Sequence, residues 1–584
     1  MTVKVLVGQF AVAACVGLVV VAALSTTGFT TSNRQAVRLH WDWATDAPKY
    51  AGAAAGQGRR PRVGMVRDFN SRQVIFPEVV PASLVDKIRH EPRFWQQYLH
   101  RHAHLYAHDP DFVPDHNRPG KMVRDWNFSL NGGSGGTIGS PAKYVFDVNA
   151  APSCTNDFVV TGVNIAGSAT QANLLGLKSL YNNPTGTGLC AGTAPIVLFS
   201  YNIGPGVLNS YVGLSLDGTR VAFNESNGAS SFFHVLTWKT GAGNGTTAAA
   251  PATPGTGNTA VDKKFALAGG LSTAPFIDYG NDVAYVTTNN GQVHKYSGVF
   301  EGTPAEIVTG GWPLTTPSGN GISTPVFDSV SRHVFFTDNG NGGIDYVDDS
   351  VVPATMNAGL FTFSPGLNLA IPLIVDSGNQ RVYAFSPNNT TLGRAIVSQA
   401  DTNLSAASQV TIAVGNSNAA GRVPLMGDFN EDYYNGTLGS SRFYVAGNDS
   451  SANFVPALYA IDFSAGFKMN AVVNGPLALA TNTAGINASP VTAFFNTTLN
   501  TQFLFVAVSG SCSGAIPGGC IRSLNVTGGA FPTAVTVNSV VFAASGGTGG
   551  IDIDNVSVAA GAASVYYTTM TGKTIVKATQ AALQ

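Results

Sequence analysis

The feature that most constrains this chain is a unit that recurs along its body: a proline, two or three apolar residues, an aspartate, a turn, then a strand rich in β-branched and aromatic residues. It reads Pro275-Phe-Ile-Asp278 before Val283-Ala-Tyr-Val286, Pro325-Val-Phe-Asp328 before Val334-Phe-Phe336, Pro372-Leu-Ile-Val-Asp376 before Val382-Tyr-Ala-Phe385, and Pro424-Leu-Met-Gly-Asp428 before Phe443-Tyr-Val445. Asp278, Asp328, Asp376 and Asp428 stand 50, 48 and 52 residues apart. A period of about 40 to 50 residues with about four strands per unit marks a β-propeller. Looser copies lie upstream, at Pro141 to Asp147 and at Leu214 to Asp217, and downstream, at Pro490 to Phe495 and at Ile551 to Asp554. The expected fold is therefore all-β, an eight-bladed β-propeller. Seven blades is the alternative, because the units around Asp217 and Pro490 are irregularly spaced.

The last unit reaches Gln584 after only three strands, so a closed ring needs a fourth from elsewhere. Arg124 to Leu130 is the expected donor, since it resembles the fourth strand Ile196 to Asn202. An N-terminal strand in that position removes the open edge that would otherwise template aggregation. Each repeated aspartate is expected to accept backbone N–H bonds in the turn between the first two strands. Composition agrees with this architecture: 67 Gly and 30 Pro with 11% charged residues favour short strands and tight turns over amphipathic helices.

The stretch Pro275 to Tyr296, with Asp278, its Val-Ala-Tyr-Val strand and the Asn289-Asn290-Gly291 turn, resembles the repeat of the PQQ-like propellers, a family that includes quinoprotein dehydrogenases and outer-membrane assembly propellers. The resemblance covers most of Pro141 to Ala578 and is greatest to exported bacterial propellers. It implies architecture and not a reaction. A quinoprotein dehydrogenase would be expected to show a vicinal disulfide, an Asp base, Ca²⁺ ligands and a tryptophan motif in most blades. Here no two cysteines are adjacent, and of the six Trp only Trp238 and Trp312 fall in the central repeats. No Gly-x-Ser-x-Gly elbow occurs either. No catalytic residue is assigned and no cofactor is expected.

Three regions follow. Residues 1–25 combine Lys4 with an apolar run from Val5 to Ser25, the pattern of a signal peptide or a retained membrane anchor. Val12-Ala-Ala-Cys15 resembles a lipobox, which makes lipidation at Cys15 a third option. Residues 26–121 form a basic, His-rich arm with 14 Lys+Arg against 9 Asp+Glu, and residues 122–584 form the propeller, with 17 against 24. Within the arm, Ala51 to Arg62 reads as disordered. Ser83-x-x-Asp86 is expected to cap a short helix, and Pro92 to open a second one running to about His108. The body has no Lys/Arg run, so nucleic acid is not an expected partner.

Export would leave Cys154, Cys190, Cys512 and Cys520, an even set that suggests two disulfides, with Cys154 to Cys190 and Cys512 to Cys520 favoured by proximity in sequence. On a helix His100, His104 and His108 would stack at i, i+4, i+8, and with Asp109 could chelate Zn²⁺ or Cu²⁺; the bland reading is a solvated helix or docking arm. Asp428-Phe-Asn430-Glu-Asp432 has the D-x-N-x-D spacing of calcium loops, but Tyr433 stands where the loop glycine belongs and Gly439 where the bidentate Glu belongs. Zn, Cu and Ca are thus the candidate metals.

Together these features point to an exported, non-catalytic propeller, extracellular, periplasmic or at the cell surface. It would serve as a binding, adhesion or assembly scaffold for a protein or surface glycan, with self-assembly through the arm and membrane contact only if residues 1–25 are retained. The alternative is a metal-dependent binder, or an enzyme of hydrolase or lyase type, at the channel mouth. Convergence of three or more of His234, His294, His333, Asp338 and Asp345 in one pocket would favour that alternative.

Overall fold

The computed structural model describes residues 36–38, 64–102 and 122–580, the last with interruptions at 137–138, 183–187, 239–242, 258, 364–371, 390–393, 417–425, 450, 482, 497–499, 514–515, 533–539 and 556–560. Eight antiparallel sheets carry the fold. Their innermost strands, in chain order from blade 1 to blade 8, are Ala142–Val145, Gly213–Leu214, Phe276–Asp278, Val326–Phe327, Ile374–Asp376, Asp428–Phe429, Thr492–Asn496 and Asp552–Asp554. These are the eight units read from the sequence, so the eight-bladed count holds and the seven-bladed alternative falls.

Blade 8 takes its outer strand from the N-terminal side, as expected. Met122–Ser129 pairs antiparallel with Thr574–Gln580. The Lys577 ammonium is ion-paired with Asp125, and the Trp126 indole N–H donates to the Leu180 carbonyl of blade 1 at 2.9 Å. The strand thereby ties the first and last blades together.

The turns explain the repeated aspartates. The carboxylate of Asp278 accepts from the Gly280 N–H, that of Asp328 from the Ser331 N–H, and that of Asp376 from the Asn379 N–H, at 3.1, 2.9 and 2.9 Å. Four residues beyond each of these aspartates the backbone turns left-handed, at Asp282, Arg332 and Gln380, with φ of 54°, 62° and 54°. One turn geometry is thus used three times over. Asp428 departs from it and accepts the Ala493 N–H of blade 7 at 2.7 Å.

Between blades the core is a series of apolar slabs. Tyr144, Phe158, Phe199 and Phe223 fill the gap between blades 1 and 2; Phe503, Phe505, Ile553 and Tyr567 fill that between blades 7 and 8. Both expected cysteine pairs are bonded, with Cα atoms 5.5 Å apart for Cys154–Cys190 and 6.1 Å for Cys512–Cys520. Each closes a loop beside its blade and restricts the unfolded chain. No helix among the described residues is long and apolar enough to cross a membrane.

Residues 64–102 are the part of the fold that the repeats do not foreshadow. Met65–Arg67 adds to the inner edge of blade 1, and Val74–Ile75 pairs in parallel with the inner strand of blade 5. In a ring of eight those blades face each other, so this stretch crosses the central channel. It packs into one core with blades 3 to 6, through Phe69, Phe76, Phe94, Trp95 and Leu99.

Candidate functional site

The 64–102 segment reaches every blade. Beyond its strand pairing with blades 1 and 5, the Asp68 carboxylate accepts the Leu214 N–H of blade 2 at 3.0 Å, and Asn70 Oδ1 accepts the Ile277 N–H of blade 3 at 2.8 Å. Arg93 donates to the Phe327 carbonyl of blade 4, and the Glu78 N–H to the Tyr434 carbonyl of blade 6. Arg72 donates to Thr492 Oγ1 of blade 7 and to the Ile551 carbonyl of blade 8, at 2.9 and 3.0 Å. It is an internal plug.

Local signals shape the plug. Asp68 and Ser71 form a reciprocal capping box that starts the helix Phe69–Gln73. Ser83, by contrast, lies in the 3-10 turn Ala82–Leu84, and the helix Val85–Arg89 after it has Leu84 at its N-cap with no side-chain bond, so the cap expected at Ser83-x-x-Asp86 is not made. The helix Pro92–His102 does form from Pro92. Its Gln96 and Gln97 accept the N–H groups of Val66 and Phe76, at 2.6 and 3.0 Å, which satisfies the strand edges the blades leave open.

Three arginines bring charge into this interior: Arg67, Arg93 and Arg101 are 2%, 0% and 7% exposed. Arg93 donates from Nε to Glu91 at 2.9 Å and lies over the Phe276 ring at 4.7 Å. Burial works against its charge, but Glu91, Asp278 and Asp328 outweigh burial and hold its pKa above the usual arginine value. Arg101 makes a two-pronged pair with Glu431, lies 3.3 Å from Glu78, and stacks over the Tyr434 ring at 3.9 Å. Arg67 is different. Burial lowers its pKa despite Asp554 and Asp552 nearby, and although Nη2 donates to Asn555 Oδ1, its Nε and Nη1 have no hydrogen-bond partner among the described residues.

Beside Arg67 the plug and blades 5 to 8 leave a cavity of about 60 Å³. Arg67, Arg72, Gln73, His100, Arg101, Asp428, Glu431 and Asp552 supply its polar lining. His100 bonds through its carbonyl, to Arg67 and Asn555, and its ring stands at the cavity. Burial, reinforced by Arg67, Arg72 and Arg101, drives the His100 pKa well below the usual histidine value and keeps the ring neutral. The Asp552 carboxyl is pushed up to about 7 by burial, which Arg67 and Arg72 only partly offset, and its Oδ2 has no partner.

Of the residues singled out in the sequence, His100 lies on the Pro92–His102 helix with its ring at this cavity, while His104, His108 and Asp109 lie outside the described residues. Ala51 to Arg62 also lies outside them. Asp428 accepts the N–H groups of Phe429 and Ala493, and Asn430 caps the short helix Glu431–Tyr434, whose first turn holds Asp432. Among the described residues no group of three or more His, Cys, Asp or Glu has a geometry that could hold a metal ion.

The propeller histidines are dispersed. His234 of blade 2 lies between Asp262 at 2.9 Å and Glu225 at 3.2 Å, and the Glu225 carboxyl falls to about 2 as His234, the Gly206 N–H and Lys264 outweigh its burial. His294 of blade 3 pairs with Glu306, and His333 of blade 4 with the Thr402 carbonyl, both at 2.7 Å. Asp338 and Asp345 sit together on neighbouring strands of blade 4, bonded to Ser318 and Asn341 respectively. The three histidines thus belong to three separate sheets. The residues that do meet in the channel, Arg67, Arg72, Arg101 and Asp552, were not singled out. The one signal for them was the charge difference between the basic arm and the acidic body.

No family model matches the chain, and no curated protein matches it. Solved structures similar to it include dihydro-heme d1 dehydrogenase NirN in complex with DHE (11% identity, 75% of this chain and 76% of that one, TM-score 0.40). Sqt1 from Chaetomium thermophilum matches at 11% identity over 72% of this chain and 92% of that one, TM-score 0.40. The β-propeller domain of Cps50 (Swd1) from Myceliophteria thermophila matches at 8% identity over 63% and 95%, TM-score 0.35. At such identities and scores the likenesses carry no inference about activity.

Proposed function

We propose that the protein is an exported, non-catalytic scaffold that binds a protein or surface-glycan partner on its outer surface. The observation that carries this reading is the plug: the chain's own residues 64–102 bond to all eight blades, so the channel is an internal core for most of its cross-section. Binding then falls to the rim and the loops. On the rim of blades 3 and 4, Val308, Val351 and Val352 are 67%, 41% and 88% exposed, and the Ala354 N–H donates to the Gly310 carbonyl, which brings their two segments side by side. The two disulfides support export, because such bonds persist in oxidising compartments.

The test is saturable binding of the labelled, purified chain to envelopes of the producing cells, with protease-treated and glycosidase-treated envelopes telling a protein partner from a glycan. A Val308→Glu, Val352→Glu double variant should lose that binding. Absence of saturable binding, or undiminished binding by the double variant, would overturn the proposal. A second reading, a binder or enzyme of hydrolase or lyase type at the channel mouth, with or without Zn, Cu or Ca, has one observation in its favour: His100 and the Asp552 carboxyl line the same cavity.

A further inference from the structure

We propose that the cavity between the plug and blades 5 to 8 is a binding site for a small free oxyanion of phosphate or sulfate size, gripped by Arg67 and His100. Size sets the class first. A volume of about 60 Å³ holds a few waters or an ion of about five heavy atoms.

The donors set the sign of the charge. Arg67 is 2% exposed, and Nε and Nη1, donors on different edges of its guanidinium, have no partner among the described residues. Buried donors left unmet are costly, so such groups are seldom left without a use. Each shares an edge with Nη2, and either edge can donate to a phosphate or sulfate oxygen in the cavity. The His100 ring lines the same cavity and is neutral, so it can add a further donor. Arg72 and Arg101 line the wall as well and add positive potential, although their own bonds are made.

Three carboxyl groups share the lining and have to be reconciled with an anion. Glu431 is neutralised by Arg101, and both Asp428 oxygens accept backbone N–H groups. Asp552 has one oxygen on the Ile553 N–H and the other without a partner. Because burial lifts its pKa to about 7, Asp552 can hold a proton near neutrality and donate it to a bound oxyanion instead of repelling it.

Isothermal titration of the full chain tests the site, with inorganic phosphate and sulfate as ligands and glycerol 3-phosphate as a size control that separates a free ion from the ester of a larger molecule. We expect one saturable site for a free ion and none for glycerol 3-phosphate. Arg67→Gln should weaken binding at least about tenfold. His100→Leu, at a half-buried position, should weaken it severalfold, and it decides the matter if the Arg67 variant does not fold. Three results would overturn the proposal: no saturable binding of either ion, equal binding of glycerol 3-phosphate, or unchanged affinity in both variants. A crystal structure from phosphate in which Arg67 bonds directly to Asp552 and no ion lies in the cavity would do the same.

Discussion

Arg93 and Arg67 enter the channel on one segment and are buried to nearly the same degree, yet their surroundings differ. Arg93 has a carboxylate on Nε, a carbonyl on Nη1 and an aromatic face below, and the acids around it outweigh the loss of solvent. Arg67 has its charge weakened by burial and two N–H groups unused, next to the cavity. A buried arginine is therefore not by itself a sign of structure or of function. Both keep unmet donors among the described residues, Nη2 of Arg93 and Nε and Nη1 of Arg67; what distinguishes the two is whether the nearby acids outweigh burial, which they do at Arg93 and do not at Arg67.

The largest effect should come from the end where the acids outweigh burial. Arg93→Met would leave Glu91, Asp278 and Asp328 without their cation and should lower stability by about 3–5 kcal/mol, read as a lower urea midpoint. Arg67→Met should cost less, about 1–2 kcal/mol, because it removes a charge that burial already disfavours. Equal losses in the two variants would break the comparison.

Asp552 sharpens it through pH. In the folded chain its carboxyl titrates at about 7, against 3.8 for an ordinary aspartate. The folded state therefore holds more protons across that window, and stability falls as pH rises through it, levelling off above about 7. Asp552→Asn should be close to neutral at the acid end and increasingly stabilising towards neutrality, with Arg67, Arg72, Asp68 and Asp554 as the charged groups that act on the wild-type carboxyl. A urea-stability profile with the same slope in both proteins would refute this. The smallest change belongs to His100→Gln, within about 0.5 kcal/mol in thermal unfolding, since the bonds that the structure gives this residue run through its backbone carbonyl and survive the substitution.

The ring was legible in the sequence because each blade repeats one local solution. The Asp-centred turn needs an acceptor at a fixed place, and the strand after it needs apolar β-branched or aromatic residues, so Asp278, Asp328 and Asp376 declare themselves within a dozen residues of their partners. The closing strand was legible for the same reason, as a copy of another blade's outer strand. The plug was not, because its meaning lies in partners far along the chain: Arg67 meets Asn555 across 488 residues and Arg72 meets Thr492 across 420. No window of sequence holds both halves of such a contact. Short strands such as Val74–Ile75 also give too little periodicity to read, and the true capping box at Asp68 and Ser71 precedes a helix of only five residues.

The pairing of Met122–Ser129 with Thr574–Gln580 has a consequence for how the molecule comes into being. During N-to-C synthesis, residues 64–102 appear before any of the blades they will touch, and the closing strand waits for its partner until the eighth blade has been made. Contacts of such sequence separation carry a high loop-closure entropy and slow the folding of β-rich topologies. The nascent protein therefore spends its growth as an incomplete arc with an open edge and an unburied apolar segment, the state in which a chaperone has most to do.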